Sequence, residues 1–195
     1  MSDIRVNPPS VRAYGTTAQE TFGSIRTTLE TLVTEAVSID YYGPNAVDFK
    51  NKCGELAAGL ANALTQDMGK IAEAVKTSTT NIASALGGPP VDIQFNGASI
   101  SPPAVPAGDE SVGVNRAALE GFKGTAQARF TAVNEQFTNH LSALQATDWL
   151  GTAKDNAVNA VTGFTNGAKA KVDEANTHLS AFIDKQLEVL NRANQ

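Results

Sequence analysis

Apolar side chains recur every three or four positions along four stretches of this 195-residue chain, the rhythm of helices that each bury one face. Phe22, Ile25, Leu29, Leu32/Val33 and Ala36 mark the first and predict a helix from about Pro8 to Asp40. Phe49, Cys53, Leu56, Leu60, Leu64, Met68, Ile71, Val75 and Ile82 mark the second, which runs up to Leu86. Leu119, Phe122, Ala126, Phe130, Val133, Phe137, Leu141 and Leu144 predict a third helix from about Val114 to Asp148. Val158, Val161, Phe164, Ala168, Val172, Ala175, Leu179, Phe182/Ile183, Leu187 and Leu190 predict a fourth, from about Thr152 nearly to the C-terminus. Asn7 and Asn115 stand where side chains can cap the first and third helices, with Pro8-Pro9 suiting an N-terminal turn. Helices of about 35–43 residues are about 50–65 Å long. The pattern therefore predicts an all-α fold, an elongated four-helix bundle whose seams are of coiled-coil type.

The stretches repeat. At an offset of 108 positions, without a gap, Val6-Asn7 meets Val114-Asn115 and Thr17-Ala18-Gln19 meets Thr125-Ala126-Gln127. Phe22 meets Phe130, Asn51 meets Asn159, and Leu56, Ile71 and Val75 meet Phe164, Leu179 and Ile183. Two tripeptides also match, Tyr41-Tyr42-Gly43 and Trp149-Leu150-Gly151, each preceded by an aspartate, Asp40 or Asp148. Each lies between two helical stretches, where glycine supplies a tight bend and an aromatic ring can close the hairpin. The chain is a duplicated helical hairpin: residues 1–86, a Pro/Gly-rich linker over 87–113, and residues 114–195. The four stripes need a common core, so the two hairpins are expected to pack on each other, with Phe22/Phe130 and Leu56/Phe164 central.

The linker holds five prolines and five glycines. Val91-Asp92-Ile93-Gln94-Phe95 within it alternates apolar and polar residues. It is either a loose loop or an extended segment laid on the bundle. Its length favours antiparallel hairpins, each turn beside the open end of the other. A parallel pair needs only a few residues, whereas 27 residues reach up to about 90 Å and can cross, with Val91, Ile93, Phe95 and Ile100 docking on the way.

Charge adds little. The net charge is −5: −2 over residues 1–86, −3 over 87–113 and 0 over 114–195. There is no basic block, so nucleic acid is not an expected partner. Met1-Ser2-Asp3-Ile4-Arg5-Val6 has no apolar region of Sec-signal type, and no run approaches the ~18 apolar residues of a membrane helix. The single cysteine excludes an internal disulfide. The two histidines, His140 and His178, read as solvated or edge-of-core residues and form no ligand spacing, so no metal is expected. Cys53 reads as a small core residue, and Lys154-Asp155 and Asp173-Glu174 as charges on solvated faces. No nucleophile elbow or phosphate-cradling glycine pattern is present. No catalytic residue, cofactor or enzymatic activity is expected.

A helix, a Trp-x-Gly turn and a second helix in about 100 residues, repeated in tandem, resembles the WXG family of small type VII secretion proteins. Trp149-Leu150-Gly151 carries the signature, and Tyr41-Tyr42-Gly43 is a variant with tyrosine in place of tryptophan. Phe49, eight residues after Tyr41, suits the aromatic often found there, and Ala157 is its counterpart. The resemblance implies an intramolecular version of the family's paired hairpins, a monomer that binds a secretion apparatus or a co-secreted effector. It also implies export without a cleaved signal peptide, from the cytoplasm. The Tyr-x-x-x-Asp/Glu export signal of some members is missing: Ala18, Asn45 and Ala46 stand four residues after Tyr14, Tyr41 and Tyr42. Travel with a partner, a different signal, or retention as an intracellular scaffold or chaperone stay open, as does a membrane-acting helical protein. The candidate site is the pair of turns, Tyr41, Tyr42, Gly43 and Trp149, Leu150, Gly151. Either they only close the hairpins, or an exposed aromatic there also docks on a partner.

Overall fold

Both N-terminal asparagines cap their helices. Asn7 Oδ1 accepts from the Ser10 amide at 3.3 Å, and Asn115 Oδ1 from the Ala118 amide at 3.1 Å. The computed structural model of the chain describes residues 3–97, 100–101, 104–106 and 111–193. The linker's Pro102-Pro103 and Asp109-Glu110 lie outside the described residues, as do Met1 and Ser2 of the N-terminal segment. The element order is β1 (Arg5–Val6), α1 (Pro8–Ser38), β2 (Tyr41–Tyr42), α2 (Pro44–Ala85), β3 (Gly113–Val114), α3 (Arg116–Gln145), β4 (Trp149–Leu150) and α4 (Thr152–Ala193). The helices pack against each other as an all-α four-helix bundle.

The repeat governs the boundaries. α2 and α4 begin and end 108 positions apart, as do β1 and β3, and β2 and β4. The strands, too short for any periodicity to reveal, tie each turn to the other hairpin. Arg5 and Val6 pair antiparallel with Leu150 and Trp149. Tyr41 and Tyr42 pair antiparallel with Val114 and Gly113. Each turn thus lies beside the open end of the other hairpin, the antiparallel arrangement that the linker length predicts.

Two compact units can be distinguished, each drawing on both hairpins. The first holds residues 1–25, 63–98 and 134–169. Its core includes Val11, Tyr14, Val75, Val91, Leu144, Trp149 and Val161. The linker docks there. The Thr80 hydroxyl donates to the Val91 carbonyl at 3.0 Å and accepts the Val91 amide at 3.1 Å. Gln19 does the same for Asn96, accepting its amide at 2.8 Å. Val91 and Ile93 are buried, and Phe95 meets Phe22 edge-on at 5.3 Å. Of the two linker readings, the extended, docked segment is the one found. Side-chain amides and a hydroxyl take the place of a sheet partner for its backbone.

The second unit holds residues 26–62, 99–133 and 170–195. Phe49 is its aromatic centre, stacked on Phe182 at 5.4 Å and edge-on to Phe122 at 6.2 Å. Ile100 is buried here, its amide donating to Asn62 Oδ1 at 3.0 Å.

Phe22 and Phe130 are buried as expected, but Leu56 and Phe164 are only half-buried. The fully enclosed positions are their neighbours Ala57 and Thr165. The buried face of α2 steps through Ala57, Ala61, Leu64, Met68, Ala72, Val75, Thr79 and Ala83. That is an 11-residue rhythm of about 3.67 residues per turn, on the other side of the helical 3.6 from the 3.5 of a heptad seam. In α3 the seam likewise takes His140 rather than Leu141, which is half-buried. His140 is therefore a core residue and not a solvated or edge one, whereas His178 is exposed.

Candidate functional site

In the first unit the chain leaves α3 through Thr147, whose hydroxyl donates to the Leu144 carbonyl at 2.6 Å. Lys154 Nζ donates to the Gln145 and Thr147 carbonyls at 3.0 and 2.7 Å. It thus caps the end of α3, a role that its reading as an ordinary surface charge missed. Asp148 holds the N-terminal segment. Its backbone carbonyl accepts the Asn7 amide at 2.9 Å, and its side chain accepts from Asn7 Nδ2 at 3.1 Å and pairs with Arg5. The Asn7 hydrogen bond, and then Arg5, hold its carboxyl below the usual carboxylate range. Trp149 next points inward and is 0% exposed, while Leu150 points out. Gly151 has φ +113°, a left-handed conformation in which glycine carries no steric penalty.

The turn of the second unit repeats this plan. The Asp40 carbonyl accepts the Asn115 amide at 2.7 Å, and Gly43 has φ +103°. Tyr41 is 7% exposed, and its hydroxyl donates to Gln186 Oε1 at 3.0 Å. Burial and then Asp48 raise its pKa. Lys50 Nζ donates to the Ile39 carbonyl at 3.0 Å, and burial lowers its pKa although Asp40 opposes this. The aromatic of each turn is thus enclosed. The outward members are Tyr42 and Leu150, 108 positions apart, so neither Tyr41 nor Trp149 is the exposed aromatic expected for docking.

A groove lies at the turn of the second unit. In the second unit Tyr41 to Asn45, Val112 to Val114 and the last turns of α4 enclose about 330 Å³. Tyr42, Val112 and Val189 on its rim are 47, 74 and 47% exposed. Gly113 lies beneath it, where a Cβ would run into the hydroxyl end of the Tyr42 ring and the ring would have to move. Sequence reading named Tyr42 and Gly43 but missed Val112 and Val189. Their part depends on the β2–β3 ladder and on the packing of α4, neither of which leaves a local signal.

Cys53 and Tyr14 are buried, and their pKa values are raised by desolvation, Cys53 to about 12. Among the described residues no group of three or more His, Cys, Asp or Glu side chains could hold a metal ion. Among them, too, no helix is long and apolar enough to cross a membrane. No family model, curated protein or solved structure matches the chain.

Proposed function

We propose that this chain is a non-enzymatic, WXG-like protein of a type VII secretion system, exported without a cleaved signal peptide and acting by protein–protein binding. The observation that supports this reading is the paired turns. Trp149-Leu150-Gly151 and Tyr41-Tyr42-Gly43 share one geometry: an inward aromatic, an outward apolar residue and a left-handed glycine, laced to the N-terminal strand of the other hairpin. That is a pair of hairpins laced to each other on one chain. The partner-binding surface is then the apolar rim of Tyr42, Val112 and Val189, not the enclosed rings. A flat apolar rim over a groove suits a side chain of a partner protein better than a reacting substrate.

The test is export from the native cell. The tagged full chain should appear in the medium when the secretion ATPase of the system is intact and stay inside when it is deleted. Tyr42→Ala with Val189→Ala should lower export while leaving thermal stability unchanged. Release that ignores the ATPase would overturn the pathway, and undiminished export of the double variant would overturn the docking surface.

A further inference from the structure

Tyr14 on α1 and His140 on α3 form a hydrogen bond inside the first unit, Tyr14 Oη to His140 Nε2 at 2.8 Å, with both residues buried. Phe22 meets the imidazole edge-on at 6.0 Å. Nδ1 of His140 has no hydrogen-bond partner among the described residues. With Nε2 engaged by Tyr14, either tautomer leaves a buried nitrogen unmatched, as donor or as acceptor. The repeat supplies an internal comparison. At the offset of 108, Tyr14 corresponds to Phe122 and His140 to Leu32, which are also buried, in the second unit. The same fold therefore accommodates a wholly apolar pair at these positions, and the first unit carries a polar, imperfectly satisfied one instead.

We propose that the Tyr14–His140 pair makes the first unit acid-sensitive, protonation of His140 opening its core while the second unit stays folded. The proton comes from solvent and gives an imidazolium with two N–H donors. The Tyr14 oxygen can accept one, and the other meets apolar side chains, an arrangement that hydration relieves only if the core opens. Tyr14 is a titratable group in contact with the ring. The charges on the packed elements are engaged or turned away: Lys76 of α2 pairs with Asp92 and Lys169 of α4 donates to Thr138, while Arg12 and Glu20 of α1, Glu73 of α2 and Glu135 of α3 are exposed. Burial alone pushes the His140 pKa down, from 6.5 to about 4. Because the folded value lies below the unfolded one, the open form binds more protons between them. Stability is complete above pH 6.5 and falls as the pH drops toward 4.

The full chain carries its own reporters: Trp149, its one tryptophan, in the same core as Tyr14, and Cys53, its one cysteine, buried in the second unit. Trp149 emission and Cys53 access to dithiodipyridine, which reacts with thiols in acid, are followed from pH 7.5 to 3. In the wild type Trp149 emission should shift to the red within the window from pH 6.5 to 4 while Cys53 stays closed. Tyr14→Phe/His140→Leu, which installs the second unit's residue types, should move that transition down by about one pH unit or more. His140→Gln, which cannot become charged, should do the same and decides the matter if the double variant fails to fold. Equal midpoints in wild type and variants, or Trp149 and Cys53 opening together, would overturn the proposal.

Discussion

Phe49 and Phe182 stack at 5.4 Å in the second unit, and the residues one repeat away, Ala157 and Ala74, line a groove of about 220 Å³ in the first. Lys52 stands 5.1 Å from the Phe182 ring and covers the pair. The helices match one repeat apart, but only the second unit carries the rings. Phe49→Ala should therefore cost about 3–5 kcal/mol. Ala74→Phe/Ala157→Phe should raise stability by about 0.5–1.5 kcal/mol if the added rings stack as their counterparts do. Urea denaturation of both variants measures each sign, and a destabilised Ala74→Phe/Ala157→Phe protein would show that the groove cannot take two rings.

Gly43 and Gly151 should not tolerate alanine equally. Both substitutions place a side chain at positive φ, at a cost of about 1–2 kcal/mol. At Gly43 the new Cβ would also stand 2.8 Å from a Val112 methyl, whereas at Gly151 the nearest atoms are 3.6 Å away. Gly43→Ala should lower the melting temperature more than Gly151→Ala, and the reverse order would contradict the β2–β3 geometry.

Cys53 should resist thiol reagents at pH 8. Its thiol is buried and its pKa is pushed up to about 12, so little thiolate forms and little of it is reachable. Labelling followed against urea should begin only with unfolding. Fast labelling of the native chain would place Cys53 outside the core.

Asp148 contributes a second acid response, below that of His140. Its folded pKa is depressed by the Asn7 hydrogen bond first and by Arg5 after it. The stability it supplies is therefore present above the ordinary 3.8 and lost as pH falls below that value. In the His140→Gln background, where the first unit stays closed to lower pH, Asp148→Asn should flatten stability against pH below about 4. A change confined to pH 5–6.5 would argue against this assignment.

Thr80 bonds both backbone groups of Val91, so Thr80→Val should loosen the docked linker at a cost of about 1–3 kcal/mol. Limited proteolysis should then cut within residues 91–97 faster than in the wild type. Unchanged cleavage would mean that burial of Val91 and Ile93 holds the segment without those bonds.

The sequence by itself determined the helices, the duplication and its register, because periodicity and matched residues such as Val6-Asn7 and Val114-Asn115 are local facts. It also marked both turns, since Gly43 and Gly151 are needed where φ is positive. Only the tertiary structure decided which neighbour faces inward. Successive helix positions differ by about 100°, so a stripe leaves Leu56 and Ala57, or His140 and Leu141, unresolved until partners pack. It also decided that Trp149 and Tyr41 are enclosed, that Tyr42, Val112 and Val189 share one rim, and that the linker is clamped by Thr80 and Gln19. Each of these rests on contacts between residues distant in sequence, and such contacts leave no periodic trace in either partner alone.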